Sequence, residues 1–228
     1  MKNLAFHIPT ASLVISGSTL RFPVRRIFCV GRNYSEHAKE FGNDERDPPF
    51  FFTKPADAIV QSGTTIPYPP KTEDVHHEAE LVVAIGIGGR NITTQRAMTH
   101  IFGFAAGNDL TRRDLQATAK SLRRPWDMSK GFDNSAIIGP ILQQNHIPDE
   151  AIIRCLVDGE VRQTGQLAQM TWSTSDIIAT LSSYLTLAPG DLIMTGTPAG
   201  VGPVAPGETC TVEIDGLSPA AFTYRGLT

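Results

Sequence analysis

The chain has 228 residues, 41% of them hydrophobic, which suits one substantial core rather than two full domains. A formal net charge of -3 and the lack of any Lys/Arg block argue against nucleic-acid binding or a membrane-surface role. Cys29, Cys155 and Cys210 match no zinc spacing, and residues 1–9 hold no apolar run of signal-peptide length, so reduced thiols in a cytoplasm are expected.

Residues 12–15 and 19–23, joined through Gly17, predict an N-terminal strand pair, a short appendage at 1–24 ahead of one catalytic domain at 25–228. Residues 26–30 read as a buried strand broken by Gly31-Arg32-Asn33-Tyr34. Ser35 then starts a short helix over 36–41, stopped by Gly42-Asn43. On that helix His37 and Glu40 are three apart and share a face, so the carboxylate can fix the imidazole tautomer and the pair can move a proton. An ordinary solvated helix has the same spacing. The polar loop that follows lets this helix act as a lid. Phe50-Phe51-Phe52-Thr53-Lys54 is an aromatic strand whose lysine faces an anion or water, and residues 61–70 read as an extended, proline-stiffened connection.

Asp74-Val75-His76-His77-Glu78-Ala79-Glu80 runs into the apolar residues 81–85, which predicts one buried strand with an acidic first half. Alternate residues share a face, so Glu78 and Glu80 point the same way, and two such carboxylates either raise a pKa or hold a cation between them. A second strand, residues 101–109, ends at Asp109 and completes a three-carboxylate set. Its all-oxygen chemistry suits Mg²⁺ or Mn²⁺, with His76 and His77 as neighbours rather than ligands. Helix formation follows near Thr111 or Asp114. Lys130 falls in a polar turn before the short apolar run 136–138.

Asp158-Gly159 between residues 152–157 and 160–163 is a hairpin signal, and residues 173–176 can cap an amphipathic helix over 177–185. A strand at 191–195 enters the glycine-rich residues 196–202, and 209–217 closes the chain with one more strand and a turn. Many short strands and few helices predict a β-rich α+β domain.

Five motifs in order, Gly31-Arg32-Asn33-Tyr34, His76-His77-Glu78-Ala79-Glu80-Leu81, residues 109–116, Lys130-Gly131-Phe132-Asp133 and residues 196–202, resemble the fumarylacetoacetate hydrolase family. The resemblance implies that family's mixed β-roll, usually as a homodimer, with Glu78, Glu80 and Asp109 at metal-ligand positions. It further implies that His37 and Glu40 activate water and that Lys130 is the active-site lysine. Arg32, Tyr34, Lys54, Arg113, Gln116 and Thr197 are expected to contact substrate. Within the family, residues 22–30 and 48–52 are most similar to bacterial fumarylpyruvate hydrolases of gentisate breakdown, although Pro55 follows Lys54 where that subgroup often has Asn. The implied reaction is metal-dependent hydrolysis of a C–C bond in a small 2,4-dioxo acid, with fumarylpyruvate giving fumarate and pyruvate. Oxaloacetate decarboxylation on the same metal cradle is the alternative, and a catalytically idle metal-binding protein is a third reading.

Overall fold

The computed structural model describes residues 5–34 and 48–226. In chain order its elements are β1 (Ser12–Val14), β2 (Arg21–Pro23), β3 (Arg26–Gly31), β4 (Phe50–Lys54), β5 (Ile59–Gln61), β6 (Thr64–Ile66), β7 (Val75–His77) and β8 (Ala79–Ile85). Then come α1 (Thr94–Ala97), β9 (Ile101–Asp109), β10 (Thr111–Arg112), α2 (Arg113–Ser121), α3 (Asp127–Lys130), β11 (Ala136–Ile138), β12 (Ile152–Val157) and β13 (Glu160–Gln166). The last are α4 (Thr174–Tyr184), β14 (Asp191–Met194), β15 (Gly202–Pro203), β16 (Thr209–Ile214) and β17 (Ala220–Tyr224).

A mixed seven-stranded sheet, ordered β4-β3-β14-β8-β9-β11-β5, packs against a five-stranded sheet ordered β13-β12-β16-β17-β6. The result is the β-rich α+β domain that the strand pattern predicts, in the mixed β-roll that the family resemblance implies. Strand β8 shows why its sequence is an unbroken apolar run: Leu81, Val83 and Ile85 enter the core between the sheets, while Val82 and Ala84 enter a second cluster on the other face. Burying a side chain such as Leu81 stabilises the fold by roughly 1.5–3 kcal/mol. The β1–β2 ribbon closes that second cluster, with Leu13 and Phe22 packed among Ile27, Cys29 and Val82.

The acidic stretch is two strands rather than one. Strand β7 belongs to a separate three-stranded sheet with β10 and β15, β8 to the seven-stranded sheet, and the chain changes sheets at Glu78. The end of β9 holds that change of direction: Asn108 Oδ1 accepts from the Glu78 backbone N–H, and Asp109 N–H donates to the Glu78 carbonyl, both at 2.9 Å. The proline-rich connection contains β6, which pairs in parallel with β17, a strand that the sequence reading leaves out. The hairpin and the capped helix form as read, with Asp158 and Gly159 both at positive φ and Ser173 accepting from Asp176 N–H. All three cysteines are free and buried.

Candidate metal centre and active site

Three backbone features bring the carboxylates together: the crossing at Glu78, the inward pleat of β8 at Glu80 and the last residue of β9, Asp109. One oxygen from each lies within 4.8 Å of the others, and all three residues are buried. The ends of neighbouring strands and helices supply the cations. From α3, Lys130 Nζ donates to Glu78 Oε2 and Asp109 Oδ2, each at 2.7 Å. From β4, Lys54 Nζ stands 2.8 Å from Asp109 Oδ1. From the first turn of α2, Arg113 Nη2 donates to Glu78 Oε1 at 2.6 Å.

Glu80 is treated differently. It accepts from Gly196 N–H at 2.7 Å, and among the described residues no basic side chain pairs with it. Burial first, then the charges of Asp109 and Glu78, push its pKa well above the usual carboxylate range. A divalent cation touching all three residues would supply the positive charge that Glu80 lacks, and an all-oxygen donor set is the kind Mg²⁺ and Mn²⁺ take. The residues therefore fit such an ion. Gly196 reaches Glu80 at a φ of 98°, where a Cβ would stand 2.7 Å from that of Asn33, so the position needs glycine.

Lys130 and Lys54 are both buried rather than surface lysines. Burial disfavours the Lys130 ammonium, but Asp109 and Glu78 more than offset that and raise its pKa above the ordinary lysine range. For Lys54 burial prevails and the pKa is lowered. Lys54 also donates to the carbonyls of Leu110 and Lys130, so it braces Asp109 from behind instead of facing the cavity.

The cavity beside the triad is about 430 Å³, counting its open mouth, and is lined among others by Arg32, Arg113, Gln116, Lys120, Lys130 and Thr197. Hydrogen bonding sets what several of these present to it. The Arg113 guanidinium donates to Glu78, to Gln116 Oε1 at 2.7 Å and to His76 Nδ1 at 3.3 Å. With its oxygen so occupied, Gln116 has its amide N–H₂ left to donate. Burial and then Arg113 lower the pKa of His76, against the opposing pull of Asp74, which its Nε2 faces at 3.0 Å.

Thr197 is set by Gln163, a residue on β13, the second arm of the hairpin. Gln163 Oε1 accepts from Ala79 N–H, and its Nε2 donates to Thr197 Oγ1 and the Pro198 carbonyl. Because Ala79 N–H can only donate and a carbonyl can only accept, the amide orientation is fixed; His77 Nδ1, 2.8 Å from Gln163 Oε1, must carry its proton. Thr197 Oγ1 then accepts from Gln163 and keeps its own proton to donate.

Of the residues singled out in the sequence, Glu78, Glu80, Asp109, Lys130, Arg113, Gln116, Thr197 and Arg32 meet around this cavity, while Tyr34 is buried beside it, where burial and then Glu80 raise its pKa. His37 and Glu40 lie outside the described residues. Lys120, Trp126 and Gln163 are the site features that the sequence reading missed.

Residues 26–224 match the family model described as fumarylacetoacetate (FAA) hydrolase C-terminal. The chain belongs to the fumarylacetoacetate hydrolase family. A crystal structure of a family member, fumarylpyruvate hydrolase from Pseudomonas aeruginosa in complex with Mn²⁺ and pyruvate, superposes with a TM-score of 0.94 at 47% identity, covering 99% of this chain and 100% of that one. A mitochondrial oxaloacetate decarboxylase of Dictyostelium discoideum is 43% identical over 85% of this chain and 90% of its own length. A mitochondrial oxaloacetate tautomerase of Arabidopsis thaliana is 42% identical over 86% and 89%. Within the family, then, both hydrolases and oxaloacetate enzymes resemble this chain. No helix among the described residues is long and apolar enough to cross a membrane.

Proposed function

We propose that the chain hydrolyses 2,4-dioxo acids, with fumarylpyruvate cleaved to fumarate and pyruvate in aromatic breakdown, as a cytoplasmic homodimer using Mg²⁺ or Mn²⁺. The carrying observation is that one cavity joins a buried triad needing a cation to a protonated lysine and to two side chains oriented as donors. That set complements a substrate made of anionic and carbonyl oxygens. The fumarylpyruvate hydrolase that binds Mn²⁺ and pyruvate supports the assignment.

A divalent ion held by Glu78, Glu80 and Asp109 would supply a Lewis acid for the carboxylate and 2-oxo oxygens of the substrate. Gln116 and Thr197 orient those oxygens by donating hydrogen bonds. Water adds to the C4 carbonyl, and its proton passes to Glu40, which His37 orients; this dyad rests on the sequence alone. As the C3–C4 bond breaks, its electron pair passes into the pyruvate enolate, which the Lys130 ammonium stabilises before C3 is protonated.

The decarboxylase and tautomerase relatives favour a second reading, in which oxaloacetate is the substrate and no water attacks. Measuring kcat/KM for fumarylpyruvate, acetylpyruvate and oxaloacetate, with Mg²⁺ or Mn²⁺ and after chelation, separates the two. The hydrolase reading expects the highest value for fumarylpyruvate and loss of activity on chelation. A higher kcat/KM for oxaloacetate, with fumarylpyruvate left intact, transfers the assignment to the oxaloacetate reading.

A further inference from the structure

Helix α2 lies along the cavity and presents Arg113, Gln116 and Lys120 on one face, at spacings of three and four residues. The row starts at the triad, where Arg113 touches Glu78, continues through Gln116 and ends outward at Lys120. The Lys120 ammonium lies 5.2 Å from the centroid of the Trp126 ring, and Trp126 lines the same cavity. Across from it is Arg32, 5.5 Å from the Phe50 ring, held by a backbone at φ 59°. A non-glycine residue in that left-handed region costs about 1–2 kcal/mol, and such strain is commonly kept where it aims a side chain. Burial first, then Arg113 and Arg32, disfavour the charge of half-buried Lys120, and the carboxylate of Glu78 favours it, so the charge responds to anions in this cavity.

Length decides which anion. Arg113 and Lys120 are seven residues apart, about 10 Å along the helix. Three bonds of an extended chain advance about 3.8 Å, so the end carboxylates of fumarylpyruvate, six bonds apart, are separated by about 7.6 Å and those of oxaloacetate by about 3.8 Å. With its dioxo end at the triad, only the longer diacid brings a second carboxylate to the outer end of the row. We propose that Lys120, together with Arg32, binds the distal carboxylate of the substrate and selects a long dioxo diacid over both oxaloacetate and acylpyruvates with neutral acyl groups. This rests on the hydrolase reading above.

The test compares fumarylpyruvate, whose acyl end is charged, with acetylpyruvate, whose acyl end is neutral, in wild type, Lys120→Met and Lys120→Arg. The expected result is that the wild-type preference for fumarylpyruvate in kcat/KM shrinks on the order of ten- to a hundredfold in Lys120→Met, the scale of a lost charge-assisted hydrogen bond, mainly through KM. Lys120→Arg should recover most of it. Turnover of acetylpyruvate by Lys120→Met shows that the variant folds. Equal losses on both substrates, or no loss on either, overturn this inference and leave the hydrolase reading standing. A wild type inactive on both acylpyruvates overturns the hydrolase reading and this inference with it.

Discussion

Gln163 donates from Nε2 to Thr197 Oγ1 at 2.8 Å, so a strand of the five-stranded sheet sets a hydroxyl that lines the cavity beside the carboxylate triad. The same side chain accepts from Ala79 N–H at the start of β8 and from His77, tying the strand that carries Glu80 to the glycine-rich loop. Gln163→Met leaves the Ala79 N–H, the His77 N–H and the Pro198 carbonyl without this partner, at about 1–3 kcal/mol for each group left unsatisfied. Its effect on turnover should pass through Thr197. We expect Gln163→Met and Thr197→Val each to lower kcat/KM for acylpyruvates by about tenfold, and the double variant to fall little further. Fully multiplicative losses would refute the relay.

A cation held by the triad would compete with Lys130 for the same carboxylates. Lys130 Nζ sits 2.7 Å from both Glu78 and Asp109, so Lys130→Met removes a positive charge from the ligand set. Turnover should fall by at least about a hundredfold, as expected for losing a charge that stabilises an enolate. Mn²⁺ affinity measured by titration calorimetry should hold or rise. A fall in affinity parallel to the fall in turnover would show that the lysine builds the metal site instead of serving the enolate.

Glu80 gives the metal-free protein a distinctive pH dependence. Burial and its acidic neighbours raise its pKa in the folded chain, so the folded state keeps this proton at pH values where the unfolded chain, with a carboxyl pKa of about 4.3, has lost it. The unfolded state then binds fewer protons, and this contribution to stability is full below that pKa and lost as pH rises through the folded value. Urea midpoints of chelated protein should carry this downward component, absent from Glu80→Gln and abolished by saturating Mn²⁺. An identical pH profile for wild type and Glu80→Gln without metal would contradict the electrostatic account.

The fold class and the carboxylates were legible because both are written in local pattern: an unbroken apolar run for a strand buried on two faces, and acids at its mouth. Glu78 and Glu80 converge for a reason that pleat alone does not contain, since the chain changes sheets at Glu78, and only β9 shows where that turn is held. Gln163 was hidden by a bulge. Strict alternation would put Val161 and Gln163 on one face, but Cys155 pairs with Gln163 and Leu156 with Val161, so Arg162 is the extra residue. The phase reverses, Val161 is left 56% exposed and Gln163 is turned inward at 1%. Lys120 gave no signal, because a lysine on a helix looks solvated until a cavity is found along that face. Strand β6 escaped notice because its partner, β17, lies over 150 residues further along the chain.

The central claim, that water cleaves the substrate, is tested most directly by turnover of fumarylpyruvate in water enriched in oxygen-18, with the released fumarate read by mass spectrometry. Attack on the C4 carbonyl predicts fumarate carrying one solvent oxygen in its new carboxylate, in the presence of Mg²⁺ or Mn²⁺ and not after chelation. Enzyme that consumes oxaloacetate while releasing no labelled fumarate from fumarylpyruvate would contradict the hydrolase account.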